Sequence, residues 1–140
     1  DAPEKYLKEA KRLGVEKHFK ILSGSKQVPE LLLAADLLIH PSLKESAGMV
    51  ILEAIVAGLP VLTTSSCGYA FHVEKAQAGV VCPMPFQQEY LNQQLETMLV
   101  SDSRSTWKAN GVAYGREQDL YSMPQTVVNL LVQAAHSYSQ

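Results

Sequence analysis

Cysteine is scarce: Cys67 and Cys82 are the only two in 140 residues, and neither sits at metal-ligand spacing. That excludes a disulfide-stapled scaffold and a structural zinc site, and makes a reducing, cytoplasmic setting the default. The four histidines, His18, His40, His72 and His136, do not cluster with the cysteines, so no metal is expected. No apolar run approaches the roughly 18 residues that a membrane-spanning helix needs, and no signal peptide is read. Basic runs are also missing: twelve Lys and Arg are scattered among fourteen Asp and Glu, for a formal charge of −2. The electrostatic footprint of a nucleic-acid-binding protein is therefore absent. Internal repeats and low-complexity tracts are lacking too, which excludes a solenoid.

What is there is the composition of an ordinary globular domain, 46% apolar. The length suits one domain over residues 1–140, with one hydrophobic core but not two lobes around a cleft. Residues 3–13 read as an amphipathic helix with Tyr6, Leu7, Ala10 and Leu13 on one face and Gly14 as its stop. No strand precedes that helix to receive its stripe, so a chain truncated at its N-terminus is expected. Residues 18–23 (HFKILS) read as a strand, 28–35 as a helix, and 36–40 (DLLIH) as a strand buried on both faces and ended by Pro41. A helix over 48–57, a strand over 60–64 (PVLTT), a short helix over 71–77 and a strand over 79–82 (GVVC) follow. Strands alternating with helices at this spacing predict an open, parallel α/β sheet, Rossmann-like, with helices on both faces. Its binding edge would be the carboxyl ends of the strands.

The remainder reads as a helical cap over about 87–138. Residues 103–118 contain Gly111 and Gly115, each costing about 1 kcal/mol relative to Ala inside a helix. Two such glycines predict close packing against another helix. Ser122, Pro124 and Gln125 form a capping-box arrangement for the last helix, whose stripe Val127, Val128, Leu131 and Ala134 reads as packing. Trp107 and Tyr114 read as core, and both cysteines as small apolar fillers.

The chemistry concentrates in residues 40–70, HPSLKESAGMVILEAIVAGLPVLTTSSCGYA. A helix starting at the carboxyl end of a parallel strand offers unpaired amides and a favourable dipole to an anion. Ala47 and Gly48 put almost no side chain in the way, so a diphosphate can approach the amides of Gly48, Met49 and Val50. Glu45 and Glu53 bracket that position; with Ser46 as the cap they would stand on the order of 10 Å apart along the axis. Carboxylates accept paired hydroxyl hydrogen bonds, which suits Glu45 to a sugar and Glu53 to a ribose. The alternative is structural: two glutamates near a helix start also arise by chance or as complements to the dipole. Against it, Glu53 among Ile51, Leu52, Ala54 and Ile55 is awkward unless it faces a cleft. His40 reads as packed or hydrogen-bonded, and His72 as equally structural or acceptor-side.

The run ESAGMVILEAIVAGLPVLTT carries two glutamates with seven residues between them, then an alanine, a glycine and a Pro-Val pair. With it, the chain resembles the C-terminal, nucleotide-sugar-binding half of a GT-B glycosyltransferase of the retaining family 4 type. ADLLIHPS, LPVLTTSSCGYA and the late DLYSMP look most like the lipopolysaccharide-core glucosyltransferases of that family. The resemblance implies a UDP-sugar as substrate, no cofactor, and transfer of glucose to a core heptose. It implies Glu45 against the donor sugar and catalytic, Glu53 on the ribose, and the Gly48, Met49 and Val50 amides on diphosphate and sugar. Ser25 and Lys26 would line the base. Ala47 stands where many relatives carry a bulky aromatic; the lipopolysaccharide subgroup resembles this chain in having alanine there.

The family's phosphate-binding Arg and Lys and its acceptor lobe match no position here, so the isolated chain is expected to lack turnover and to bind the sugar donor weakly. In the family's strand order, 3-2-1-4-5-6, two strands lie between FKILS and DLLIH. The expectation is that FKILS pairs directly with DLLIH or that a homodimer supplies strands. The implied location is the cytoplasm, at the inner face of the membrane. The other function class compatible with the sequence is a non-catalytic nucleotide-sugar-binding or interaction module.

Overall fold

The computed structural model describes residues 3–22, 24, 26–120 and 122–138. Three parallel strands, β1 (Leu38–His40), β2 (Val61–Thr64) and β3 (Gly79–Cys82), form one sheet in the order β1-β2-β3. The register sets Leu38 opposite Val61 and His40 opposite Thr63, and Thr64 opposite Cys82. Helices α3 (Met49–Val56) and α4 (Ala70–Ala76) make the crossovers. α5 (Gln88–Val100), α6 (Arg104–Glu117) and α7 (Met123–Tyr138) follow, and α1 (Pro3–Arg12) and α2 (Val28–Ala34) precede the sheet.

β2 is the central strand and all four of its residues are buried. Successive strand residues point to opposite faces, and each face has its own apolar cluster. Val61 joins Ile51, Ile55, Val73 and Tyr114 from α3, α4 and α6. Leu62 joins Leu91 and Met98 of α5, with Trp107 packed alongside. Cys67 and Cys82 are buried, unpaired fillers in these clusters, and burial pushes the Cys82 thiol up.

The glycine expectation holds. A Cβ on Gly111 would stand 2.5 Å from the Ile55 carbonyl oxygen, and one on Gly115 would stand 2.9 Å from Val56 Cγ1. α6 thus lies with its backbone almost on α3, which no larger residue at these positions would allow without displacement.

Several expectations are corrected. Residues 19–22 form no strand, and a 3₁₀ turn (Glu16–His18) occupies the start of that segment. The only strand paired with β1 among the described residues is β2, so FKILS does not complete the sheet; Ser23 lies outside the described residues. A strand needs a partner for its backbone groups, and the apolar run alone did not supply one. β1 is consequently an edge strand, with Ile39 exposed instead of covered on both faces. On α1 only Ala10 is buried, while Tyr6 and Leu7, and Leu13 just past its end, are exposed. The α7 stripe is likewise exposed at Val127, Val128 and Leu131; the side chain of Ala134 lies outside the described set, as does Tyr121. Ser122 does not close a capping box, because its amide, which Gln125 would have to take, donates to the Asp119 carboxylate at 3.0 Å. No helix among the described residues is long and apolar enough to cross a membrane.

Candidate functional site

The site is built where β1 ends. Thr63 and Thr64 on β2 are fully buried, and a buried hydroxyl must find a partner. Thr63 donates to the His40 carbonyl at 2.9 Å. Thr64 Oγ1 accepts from the Ser42 amide at 3.0 Å and donates to the Ser42 carbonyl at 2.6 Å, and Ser66 donates to that same carbonyl. These hydroxyls pin the chain as it leaves β1.

A second strap follows immediately. Glu45 forms an isolated parallel bridge with Cys67: the Gly68 amide donates to the Glu45 carbonyl at 3.1 Å, and the Tyr69 amide to the Ala47 carbonyl at 2.8 Å. A side chain on Gly68 would overlap the Ser46 carbonyl, so the close approach of the two loops requires glycine there. Glu45 and Ala47 are therefore held by the β2–α4 loop.

This arrangement displaces the expected helix start. Ser46 is not the cap; the helix begins after Gly48, which adopts φ +78° and ψ +52° and offers no side-chain cap. Glycine enters this left-handed region without the steric cost that a Cβ brings. The Ile51 amide reaches back to the Gly48 carbonyl at 2.9 Å, and no described backbone carbonyl takes the amides of Gly48, Met49 or Val50. The estimate of about 10 Å along one helix axis does not apply, since Glu45 stands outside the helix.

Glu53 is exposed on α3, one turn beyond Met49, which places it about 6 Å further along the axis. It borders a groove of about 350 Å³ lined by Pro29, Leu32 and Leu33 of α2 and by Val56 and Ala57. The cleft that its apolar neighbours demanded is thus present. Neither Glu45 nor Glu53 has a side-chain hydrogen bond or ion pair among the described residues. Both carboxylates are open to a ligand, and three amides lie between them in sequence.

Of the candidate residues, Glu45, Ala47, Gly48, Met49, Val50 and Glu53 fall on one loop-and-helix unit at the carboxyl edge of the sheet. Lys26 stands exposed ahead of α2, and Ser25 lies outside the described residues. His72 belongs to the packing: its Nδ1 shares a 2.7 Å hydrogen bond with the Tyr114 hydroxyl, and its ring meets Tyr69 and Phe71. Burial, aided by Lys75, pushes its imidazole below the ordinary range. Sequence reasoning missed the Thr63, Thr64 and Ser66 clamp. Its signal was a run of hydroxyls at the end of an otherwise apolar strand.

An uncapped helix start at the carboxyl edge of a parallel sheet, flanked in sequence by two carboxylates without partners, is the arrangement of an open α/β domain at its ligand edge. Residues 1–113 match the family model for glycosyl transferases group 1, and the chain belongs to that family. It is 46% identical over 132 residues to the lipopolysaccharide glucosyltransferase WaaG of Escherichia coli, covering 94% of this chain and 35% of that protein. The crystal structure of WaaG, a glycosyltransferase involved in lipopolysaccharide biosynthesis, superposes with a TM-score of 0.86 over 93% of this chain and 35% of the other. The sheet is thus that of the GT-B fold. Anabaena HepE in complex with UDP and glucose superposes with a TM-score of 0.74 at 28% identity, covering 93% of this chain and 37% of its own. The chain therefore spans about a third of the length of these relatives.

Proposed function

We propose that this chain forms the sugar-donor-binding part of a retaining glycosyltransferase that moves glucose from a UDP-sugar to a heptose of the lipopolysaccharide core. The observation that carries the reading is the first turn of α3, with its amides at Gly48, Met49 and Val50 unengaged and an open carboxylate on either side. Its likeness to WaaG supports the acceptor class, and the HepE complex with UDP and glucose supports the ligand.

In this reading the α3 amides hold the diphosphate, and the positive end of the helix stabilises the charge that builds on UDP as the glycosidic bond to it breaks. Glu45 accepts from the sugar hydroxyls and orients the ring; Glu53 accepts from the ribose. Lys26 and Ser25 line the base through their loop. We place the reaction in the cytoplasm, at the inner face of the membrane.

Heteronuclear NMR titration with UDP-glucose tests this. Amide shifts at Gly48 and Glu53 are expected, and Glu53→Gln should weaken UDP binding about tenfold, the scale of a hydrogen bond to a charged group. Inorganic pyrophosphate should move Gly48 but be indifferent to Glu53→Gln. A UDP-glucose titration that leaves both amides unmoved would overturn the reading.

A further inference from the structure

The end of β1 carries a polar atom that the sugar-donor reading leaves unused. His40 Nε2 is buried, and no described residue gives it a hydrogen bond. Buried polar atoms without partners are rare because the lost hydrogen bond to water is not repaid. The His40 main chain cannot drift to relieve this, since β2 pairs with it and Thr63 holds its carbonyl.

Three side chains converge beside Gly48. Measured from the point where a Gly48 Cβ would stand, Ile51 Cδ1 lies at 3.2 Å, Glu45 Cγ at 3.5 Å and His40 Nε2 at 3.7 Å. Ile51 is buried and apolar, and offers His40 nothing. Glu45 has an unpartnered carboxylate, attached directly to the Cγ that borders the space glycine leaves.

We propose that His40 is a positioning residue for Glu45, its Nε2–H donating to the Glu45 carboxylate across Gly48. A free carboxylate beside an uncapped helix start is drawn onto the amides as a cap. Glu45 in that position would occupy the amides of Gly48, Met49 and Val50. The bond from His40 holds it off them, so that the amides stay available to an anion and the carboxylate stays beside it. The pair itself is a property of this chain; only what Glu45 faces rests on the proposed function.

Long-range proton–nitrogen NMR of the imidazoles tests the pair without ligand. In the wild-type chain His40 should carry its proton on Nε2, and Glu45→Gln should shift that resonance while leaving His18 and His72 in place. An unchanged His40 spectrum in Glu45→Gln would overturn the proposal. The second readout is the ratio of UDP-glucose to UDP affinity. His40→Phe should lower that ratio about tenfold, and His40→Gln, which keeps an N–H at similar reach, should largely restore it. Where the wild type prefers UDP-glucose to UDP, an equal preference in His40→Phe would also overturn the proposal. A wild-type chain that ignores the glucosyl group would count against the proposed function, and the ligand-free spectra would still decide on the pair. If His40→Phe does not fold, the Glu45→Gln spectra and His40→Gln carry the test.

Discussion

Gly111→Ala should destabilise the chain, although the same substitution in an open helix would stabilise it. Replacing an interior helical glycine by alanine ordinarily gains about 1 kcal/mol through backbone entropy. Here the added methyl would stand 2.5 Å from the Ile55 carbonyl oxygen, a backbone atom of a buried helix that cannot rotate aside. Overpacking of this kind costs about 1–3 kcal/mol, with the upper end expected where backbone must move. The net loss is then about 1–2 kcal/mol, or a drop of about 1 M in the urea midpoint for a typical m-value.

Gly115→Ala is the matched control. Its methyl would meet Val56 Cγ1 at 2.9 Å and Cβ at 3.1 Å, a shallower overlap than the 2.5 Å approach to the Ile55 carbonyl oxygen. Equilibrium urea unfolding followed by circular dichroism should place Gly115→Ala within about 1 kcal/mol of wild type and well above Gly111→Ala. A Gly111→Ala chain as stable as wild type, with an unchanged m-value, would refute the close seating of α6 on Ile55.

Gly48→Ala should cost roughly 1–2 kcal/mol from the left-handed backbone alone, and Gly48→Asn should recover part of it because Asn tolerates that region; urea midpoints decide, and equal stability of Gly48→Ala would contradict φ +78°. His72 predicts a pH dependence. Burial and Lys75 lower its folded pKa below the ordinary 6.5, so the unfolded chain binds the proton more readily. Its contribution is complete above 6.5 and is lost as pH falls through the lower folded value. Unfolding midpoints taken across that range should fall less steeply for His72→Gln than for wild type; parallel slopes would remove His72 from the titration.

The elements that could be read from the sequence are those whose determinants are local. DLLIH, PVLTT and GVVC are short apolar runs bounded by proline or glycine, and all three became strands of one parallel sheet. Gly111 and Gly115 announced a close helix contact because their cost demands a packing reason. FKILS looked no less strand-like, yet being a strand is a relation between two segments, and no described neighbour supplies the other. The stripes on α1 and α7 met the same limit. Periodicity reports which face is apolar, not what covers it.

The two glutamates of the candidate site show the same division at the scale of single residues. Glu53 is placed by helix periodicity: once α3 exists with Ile51, Ala54 and Ile55 inward, position 53 must face out, and the groove beside α2 is where it emerges. Glu45 is placed by contacts over twenty residues away in sequence, through the Cys67 bridge and the amides of Gly68 and Tyr69. Its setting could not be computed from the seven residues between the two, and the assumption that Ser46 caps the helix failed for that reason. A serine preference of about 1 kcal/mol for the cap position was outweighed once the loop's backbone was recruited into pairing. The same recruitment leaves Gly48 as the turn into the helix and frees the first amides of α3, which are what an anion needs. The feature that defeated the local rule is therefore the one that leaves those amides free.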